Sequence, residues 1–152
     1  MAQNWGSWTR WTPTLTASTT NPSLGTGATA RGGYIQTGTL VNFWVQFTLG
    51  TGATAGEGFY QFDFPVTPVA MARSIGTGFA VDSSESSKAY PLVVMVSPLF
   101  GDALSTSQIN PFMLSIETSG TIPEISVGAG VPFTWAAGDE INVNGCYEAA
   151  TS

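Results

Sequence analysis

The side chains best suited to chemistry in this 152-residue chain are carboxylates, because histidine is absent altogether. The candidate pairs are Asp139 with Glu140, Glu57 with Asp63, and Asp82 with Glu85. Glycoside hydrolysis needs two carboxylates that face each other across a cleft. Neighbouring strand residues point to opposite faces, so Asp139 and Glu140 would not form such a pair in a regular strand. The lack of histidine excludes Ser-His-Asp and Cys-His nucleophilic systems and most zinc sites.

Two further groups of residues offer weaker chemistry. Ser87 followed by Lys88 resembles a serine–lysine pair, in which a desolvated lysine acts as the base. Their run is rich in serine and glutamate, which is more typical of a solvated hairpin tip. Calcium bound by Asp82, Glu85 and loop carbonyls is another alternative, although these residues lack the spacing of a known calcium loop. We therefore predict that the protein is not an enzyme and has no cofactor.

Tryptophan dominates the N-terminal segment, where Trp5, Trp8 and Trp11 recur at intervals of three. Tryptophan is enriched at the centres of protein interfaces. We therefore predict that residues 1–11 form a docking arm that anchors the chain in a neighbouring subunit. Packing of the arm on its own domain and stacking of its rings on sugars are the alternatives. Residues 12–152 are predicted to form a single domain.

The composition excludes several classes of partner. Only 9% of the residues are charged, against roughly 25% in an average soluble domain, and the net charge is −6. The few cations are scattered along the chain, which argues against binding to nucleic acid or to an anionic membrane. No apolar run approaches the ~20 residues that span a bilayer, and no signal peptide is predicted. The single cysteine, Cys146, allows no disulfide within the chain.

The elements that would position these residues are strands. In the segment 41–49, apolar residues occupy every second position, which predicts a strand with one buried face. A turn at Gly38 is predicted to join it to 31–36 as a hairpin. Residues 101–109 have room for one helical turn. Further strands are predicted at 12–17, 58–64, 75–81, 90–96, 112–117, 122–127 and 140–148.

These patterns together predict an all-β fold: an antiparallel, jelly-roll-like β-sandwich of about eight to ten strands. Two of the strands carry aromatic residues on both faces, because Trp44 follows Phe43 and Phe59 precedes Tyr60. A second hydrophobic face is unfavourable in a lone monomer. We therefore predict that Trp44 and Phe59 form a further interface with another subunit.

One heptapeptide, Leu-Gly-Thr-Gly-Ala-Thr-Ala, occurs at residues 24–30 and again at 49–55. Each copy precedes an aromatic, strand-like run. Because the similarity ends after two copies, we interpret it as one loop-to-strand device used twice and not as a solenoid. Neither copy is followed by the lysine or the helix start of a phosphate-binding loop, so the glycines are predicted to supply positive φ in turns.

A family resemblance rests on motifs that cover most of the chain and is weakest over residues 82–123. These motifs lie at residues 11–17, 20–27, 33–41, 47–52, 58–60, 64–66, 135–141 and 147–148. They resemble a module that is common in tailed bacteriophages, notably those of actinobacteria. In such phages the module occurs in minor tail proteins, at the ends of tail fibres, or as a small head decoration.

The resemblance implies a structural virion protein that is made in the host cytoplasm, with no catalytic residues to transfer. It implies a minor tail or tail-fibre component that assembles with further copies of itself, as a homotrimer, and with other phage structural proteins. Contact with a host cell-surface glycan would fit this role, whereas nucleic-acid binding and membrane insertion would not. A head (capsid) decoration protein and a carbohydrate-binding module are the alternatives.

Overall fold

A computed structural model of the protein describes residues 7–69, 73–85, 88–96, 108–114 and 124–150. In this part of the chain there are ten strands and no helix, and every strand pair is antiparallel. The prediction of an all-β antiparallel sandwich with about eight to ten strands is confirmed, whereas its jelly-roll-like connectivity stays a prediction. The strands are β1 (Thr9–Trp11), β2 (Leu15–Ala17), β3 (Thr29–Thr37), β4 (Leu40–Thr48), β5 (Tyr60–Asp63), β6 (Arg73–Asp82), β7 (Lys88–Val96), β8 (Gln108–Leu114), β9 (Glu124–Ser126) and β10 (Glu140–Glu148).

The strands follow one hydrogen-bonded path in the order β1-β3-β4-β10-β6-β7-β8-β5-β2, with β9 beside β8. The strands β1 and β2 lie at opposite ends of this path, yet only residues 12–14 separate them in the chain. The path therefore folds over into two layers whose inner faces meet in the core. The larger layer includes β3, β4, β10 and β6, and the smaller layer includes β2 and β5. There the ring of Phe47 on β4 lies 6.0 Å from the ring of Phe62 on β5.

The alternation of buried and half-buried residues along β4 shows which face of the larger layer packs against the core. The apolar residues at positions 41, 43, 45 and 47 of β4 are at most 2% exposed, whereas the residues between them are half-buried. The predicted hairpin is confirmed, because β3 pairs with β4 from Thr29 opposite Thr48 to Thr37 opposite Leu40. Its turn contains Gly38 with a φ of 62°.

Several predicted strands have other bounds in the structure; the strand predicted over 112–117 corresponds to β8 at Gln108–Leu114. The strand predicted over 12–17 begins only at Leu15, because the backbone N–H of Thr14 donates to the side-chain carboxylate of Asp63 on β5 and not to a backbone carbonyl. Thr9–Trp11, within the predicted docking arm, is built into the sheet beside β3. Residues 101–107 of the predicted helical turn lie outside the described residues, and 108–109 belong to β8.

The two copies of the heptapeptide pair with each other. The backbone N–H of Thr26 donates to the carbonyl of Thr51, and that of Thr51 donates to the carbonyl of Thr26, both at 2.9 Å. These threonines occupy the same position in the two copies, so a local pseudo-twofold axis passes between them. The pairing continues outward, where Ser23 exchanges backbone hydrogen bonds with Thr54. The repeat therefore continues the pairing of β3 with β4, which begins at Thr29 opposite Thr48, as a self-complementary unit.

Close approach of the two copies explains two of the repeated glycines. A Cβ on Gly50 would collide with the carbonyl oxygen of Thr26, and a Cβ on Gly25 would lie 2.7 Å from backbone atoms of the facing copy. Backbone conformation explains the other two, since Gly27 and Gly52 have φ values of 77° and 74° and open space around an added Cβ. The expectation of positive φ thus holds for three of these four positions, because Gly25 also has a φ of 85°.

Alkaline pH is expected to weaken the fold through Tyr60. This residue is 2% exposed, its hydroxyl donates to the carbonyl of Ala55 at 2.8 Å, and burial raises its pKa from 10.0 to about 12. Between these values the unfolded chain loses the proton while the native protein keeps it. Stability that is fully present below pH 10 is therefore lost as the pH approaches 12, with a slope of up to about 1.4 kcal/mol per pH unit.

Urea unfolding midpoints measured from pH 8 to pH 12 test this expectation. Burial also raises the pKa of Tyr147, so the loss should continue to the end of this range. Replacement of Tyr60 by phenylalanine removes one hydrogen bond, worth about 1 kcal/mol. It should also lower by one the number of protons released on unfolding, so that the midpoint falls less steeply with pH. A wild-type midpoint that stays constant between pH 10 and pH 12 would refute the expectation.

Candidate functional site

The carboxylates at the start of β10 do not face each other. Asp139 is fully buried, and its side chain accepts hydrogen bonds from Ser83 N at 2.8 Å, Ser83 Oγ at 2.9 Å and Ala136 N at 2.7 Å. Glu140 is half-buried and accepts hydrogen bonds from two side-chain amides instead. Asp139 therefore holds two loops together and has no access to a substrate.

The remaining carboxylate candidates also make local contacts. Asp63 accepts hydrogen bonds from Thr14 N at 2.6 Å and from Trp11 Nε1 at 3.2 Å, which ties the segment between β1 and β2 to β5. Asp82 accepts hydrogen bonds from Ser84 Oγ at 2.7 Å and from Ser84 N at 2.9 Å, and the hydroxyl bond is the main reason that its pKa is lowered. Asp63 thus ties β5 to residues 11–14, and Asp82 stabilises the turn after β6.

Lys88 lacks the environment of a general base. Its hydrogen bond to Tyr90 is the main cause that raises its pKa, and Glu85, whose carboxylate lies 3.6 Å from Lys88 Nζ, adds to the effect. A lysine base at neutral pH needs a lowered pKa instead. Ser87 lies outside the described residues. In the described ranges, no group of three histidine, cysteine or acidic residues could hold a metal ion.

The three N-terminal tryptophans have different surroundings. Trp5 lies outside the described residues. Trp11 is half-buried and packs against the core. Its ring lies directly over Gly32, where a Cβ would collide with it. Trp8, which directly precedes β1, is 51% exposed. Trp11 therefore contacts its own domain, while Trp8 presents its ring to the surroundings.

The structure does not bring Trp44 and Phe59 together. Trp44 lies in β4 of the larger layer, next to the core residue Phe43. Phe59 directly precedes β5 in the other layer, next to the core residue Tyr60. Since the core lies between the two strands, one flat partner surface cannot cover both aromatic residues.

A different set of side chains meets on the outer face, which we define as the side of β3, β4, β10 and β6 that points away from the core. In one row across these strands, Gln46 lies opposite Asn142 and Asn142 lies opposite Phe79. In the next row, Trp44 lies opposite Asn144. Together with two valines these residues line an open groove of about 210 Å³, which we call the amide groove.

Trp44 is held in one orientation at the edge of the amide groove. Its indole lies over Gly33, where an added Cβ would sit 2.6 Å from Nε1. The guanidinium of Arg10 lies 5.5 Å from the centre of its ring. A cation–π contact at an exposed site contributes about 0.5–1 kcal/mol. Neighbours on β1 and β3 therefore hold Trp44 at the edge of the groove, with its indole directed over β3.

Three amide side chains line the groove, those of Gln46, Asn142 and Asn144, and the first two are also fixed. Glu140 Oε2 accepts hydrogen bonds from Asn142 Nδ2 at 2.9 Å and from Gln46 Nε2 at 3.3 Å. In the described part of the chain, the side chain of Asn144 has no hydrogen-bond partner. Phe79 is 46% exposed. The groove thus presents amide donors and acceptors beside aromatic carbon.

Sequence reasoning missed the amide groove. The available signal was the run of amides at alternate positions of two strands, Gln46 on β4 with Asn142 and Asn144 on β10. Only the pairing of β4 with β10, and of β10 with β6, brings them to one place beside Phe79.

The described residues include no helix that is long and apolar enough to cross a bilayer. No protein-family model, curated protein or solved structure matches this chain.

Proposed function

We propose that the protein is a non-catalytic structural component on the surface of a tailed-bacteriophage particle, of the minor tail or tail-fibre type, that assembles as a homotrimer. The resemblance of its motifs to phage modules supports this proposal. So do the antiparallel sandwich and the low content of charged residues, which suit a subunit embedded in a larger assembly. The hydrogen bonds by which Asp139 and Asp63 hold backbone segments together support a role without catalysis.

The exposed ring of Trp8 carries the proposal. It stands beside β1, which in the described part of the chain has one strand neighbour, β3. An edge strand offers backbone N–H and C=O groups to a second chain. Tryptophan brings a large area that is favourable to bury at an interface. A second copy added along β1 would cover both the strand edge and the indole.

Replacement of Trp8 by serine is expected to convert the oligomer into monomers, because the change removes the aromatic anchor beside the edge strand. Size-exclusion chromatography with multi-angle light scattering at micromolar concentration measures the mass. Leu40→Ser is the matched control, since Leu40 is 47% exposed but lies in the β3–β4 hairpin. This control should keep the wild-type mass. A monomeric wild type, or an oligomer unaffected by W8S, would refute assembly through this segment.

The location on the particle is tested separately. Particles of the phage that encodes this chain can be separated into heads and tails, and each fraction can be probed with antibodies against the protein. We expect the chain in the tail fraction. Its recovery with emptied heads would favour the alternative of a head decoration protein, and its absence from both fractions would refute a virion role.

A further inference from the structure

We propose that the amide groove binds a neutral saccharide. One sugar ring would rest on the exposed ring of Phe79 beside Trp44, and its hydroxyl groups would form hydrogen bonds with Gln46, Asn142 and Asn144. This inference deepens the proposed function, because it names the chemistry that a particle surface component would recognise on its host. It depends on different residues from those that carry the assembly proposal, so the two can fail independently.

The shape of the amide groove suits one sugar ring between two aromatic side chains. Trp44 stands on β4 and Phe79 on β6, and β10 lies between them. Adjacent strands are about 4.8 Å apart, so β4 and β6 are separated by about 10 Å. The volume of about 210 Å³ is smaller than the ~300–1,000 Å³ of pockets for drug-sized ligands. A pyranose has a face of C–H groups that can pack on the electron-rich face of an aromatic ring. Phe79, which is 46% exposed, offers such a face. The indole of Trp44 lies over Gly33 with Arg10 on its ring, so Trp44 bounds the groove without stacking on the sugar.

The polar side chains match the hydroxyl groups of a sugar. Each primary amide offers two N–H donors and one carbonyl acceptor, and each hydroxyl both donates and accepts. Glu140 already orients Gln46 and Asn142, so binding need not order these side chains. Asn144, which has no protein partner within the described residues, is the amide left to bond a ligand.

The charges around the amide groove favour an uncharged ligand. No lining side chain is charged, and the nearest carboxylate, Glu140, would repel an anion. Arg10 is stacked on Trp44, and Arg31 lies on β3 beyond Gln46, outside the groove lining. A phosphate or carboxylate ligand would therefore not find a cation at the bottom of the groove.

A second copy of this chain is a poorer occupant than a saccharide. It would bury three amides and the carboxylate of Glu140. Each buried polar group that is left without a partner costs about 1–3 kcal/mol. A saccharide would satisfy the amides with hydroxyl groups and leave its outer side in water.

Saturation-transfer difference NMR on the full chain tests the proposal, with chitotriose, maltotriose and cellotriose as neutral probes. We expect transfer to the ring protons of at least one probe. Phe79→Ala and Asn144→Ala should each weaken its binding about tenfold, equal to about 1.4 kcal/mol. Both residues are exposed, so the variants should fold. Phe59→Ala, an aromatic replacement in the other layer, is the matched control and should bind like the wild type.

Three results would overturn the proposal. The first is the absence of transfer to all three probes when circular dichroism shows a folded protein. The second is binding of an acidic probe alone, sialyllactose, with an affinity that falls as salt rises, which would move the site to Arg10 and Arg31. The third is an oligomer that dissociates on Phe79→Ala, which would assign the face to a second copy. None of these results bears on the particle location.

Discussion

Gly50→Ala is expected to destabilise the protein by about 3 kcal/mol or more, and Gly52→Ala, two residues away, by only about 1 kcal/mol. The Cβ added at Gly50 would occupy the position of the Thr26 carbonyl oxygen. That oxygen belongs to the backbone of the facing copy of the heptapeptide and accepts a hydrogen bond from Thr51. Neither copy can move away without breaking the pairing between them.

The Gly52 variant separates a steric collision from backbone strain. Gly52 has a φ of 74° and nothing within 4 Å of an added Cβ. Alanine there is therefore destabilising only because a side chain disfavours the left-handed backbone conformation. Urea unfolding at neutral pH, followed by tryptophan fluorescence, measures both changes. Equal losses for the two variants would show that the copies do not approach as closely as described.

Asp139→Ala is expected to cost about 3–5 kcal/mol of unfolding free energy. The substitution removes the acceptor for Ser83 N, Ser83 Oγ and Ala136 N and leaves two backbone N–H groups without that partner. The backbone of the same residue also accepts a hydrogen bond from Leu49 N at 2.9 Å. Asp139 therefore links the turn after β6, the loop before β10 and the end of β4.

The matched control for Asp139 is its neighbour. Glu140→Gln keeps an oxygen that can accept a hydrogen bond from Asn142, so we expect a loss of less than about 1 kcal/mol. Thermal unfolding followed by circular dichroism compares the two variants. The structural role of Asp139 would be refuted if its alanine variant melted at the same temperature as the Glu140→Gln variant.

Local pattern predicted much of the secondary structure but little of the candidate site. Alternation of apolar residues along 41–49 and 140–148 correctly placed β4 and β10, because side chains on a strand alternate between two faces. The pairing of the heptapeptide copies escaped prediction. Identical sequences show that two loops share a conformation, but they do not show that one loop docks on the other.

The sequence by itself determined the all-β class, the β3–β4 hairpin and the buried faces of β4 and β10, because each of these depends on residues close together in the chain. The tertiary structure alone decided that β10 lies between β4 and β6, and hence that Gln46 meets Glu140 from 94 residues away. It also separated Trp44 from Phe59 and placed Trp44 near Asn144 instead. The physical reason is that alternation sets which way a side chain points, whereas the choice of neighbouring strand depends on how the whole core packs.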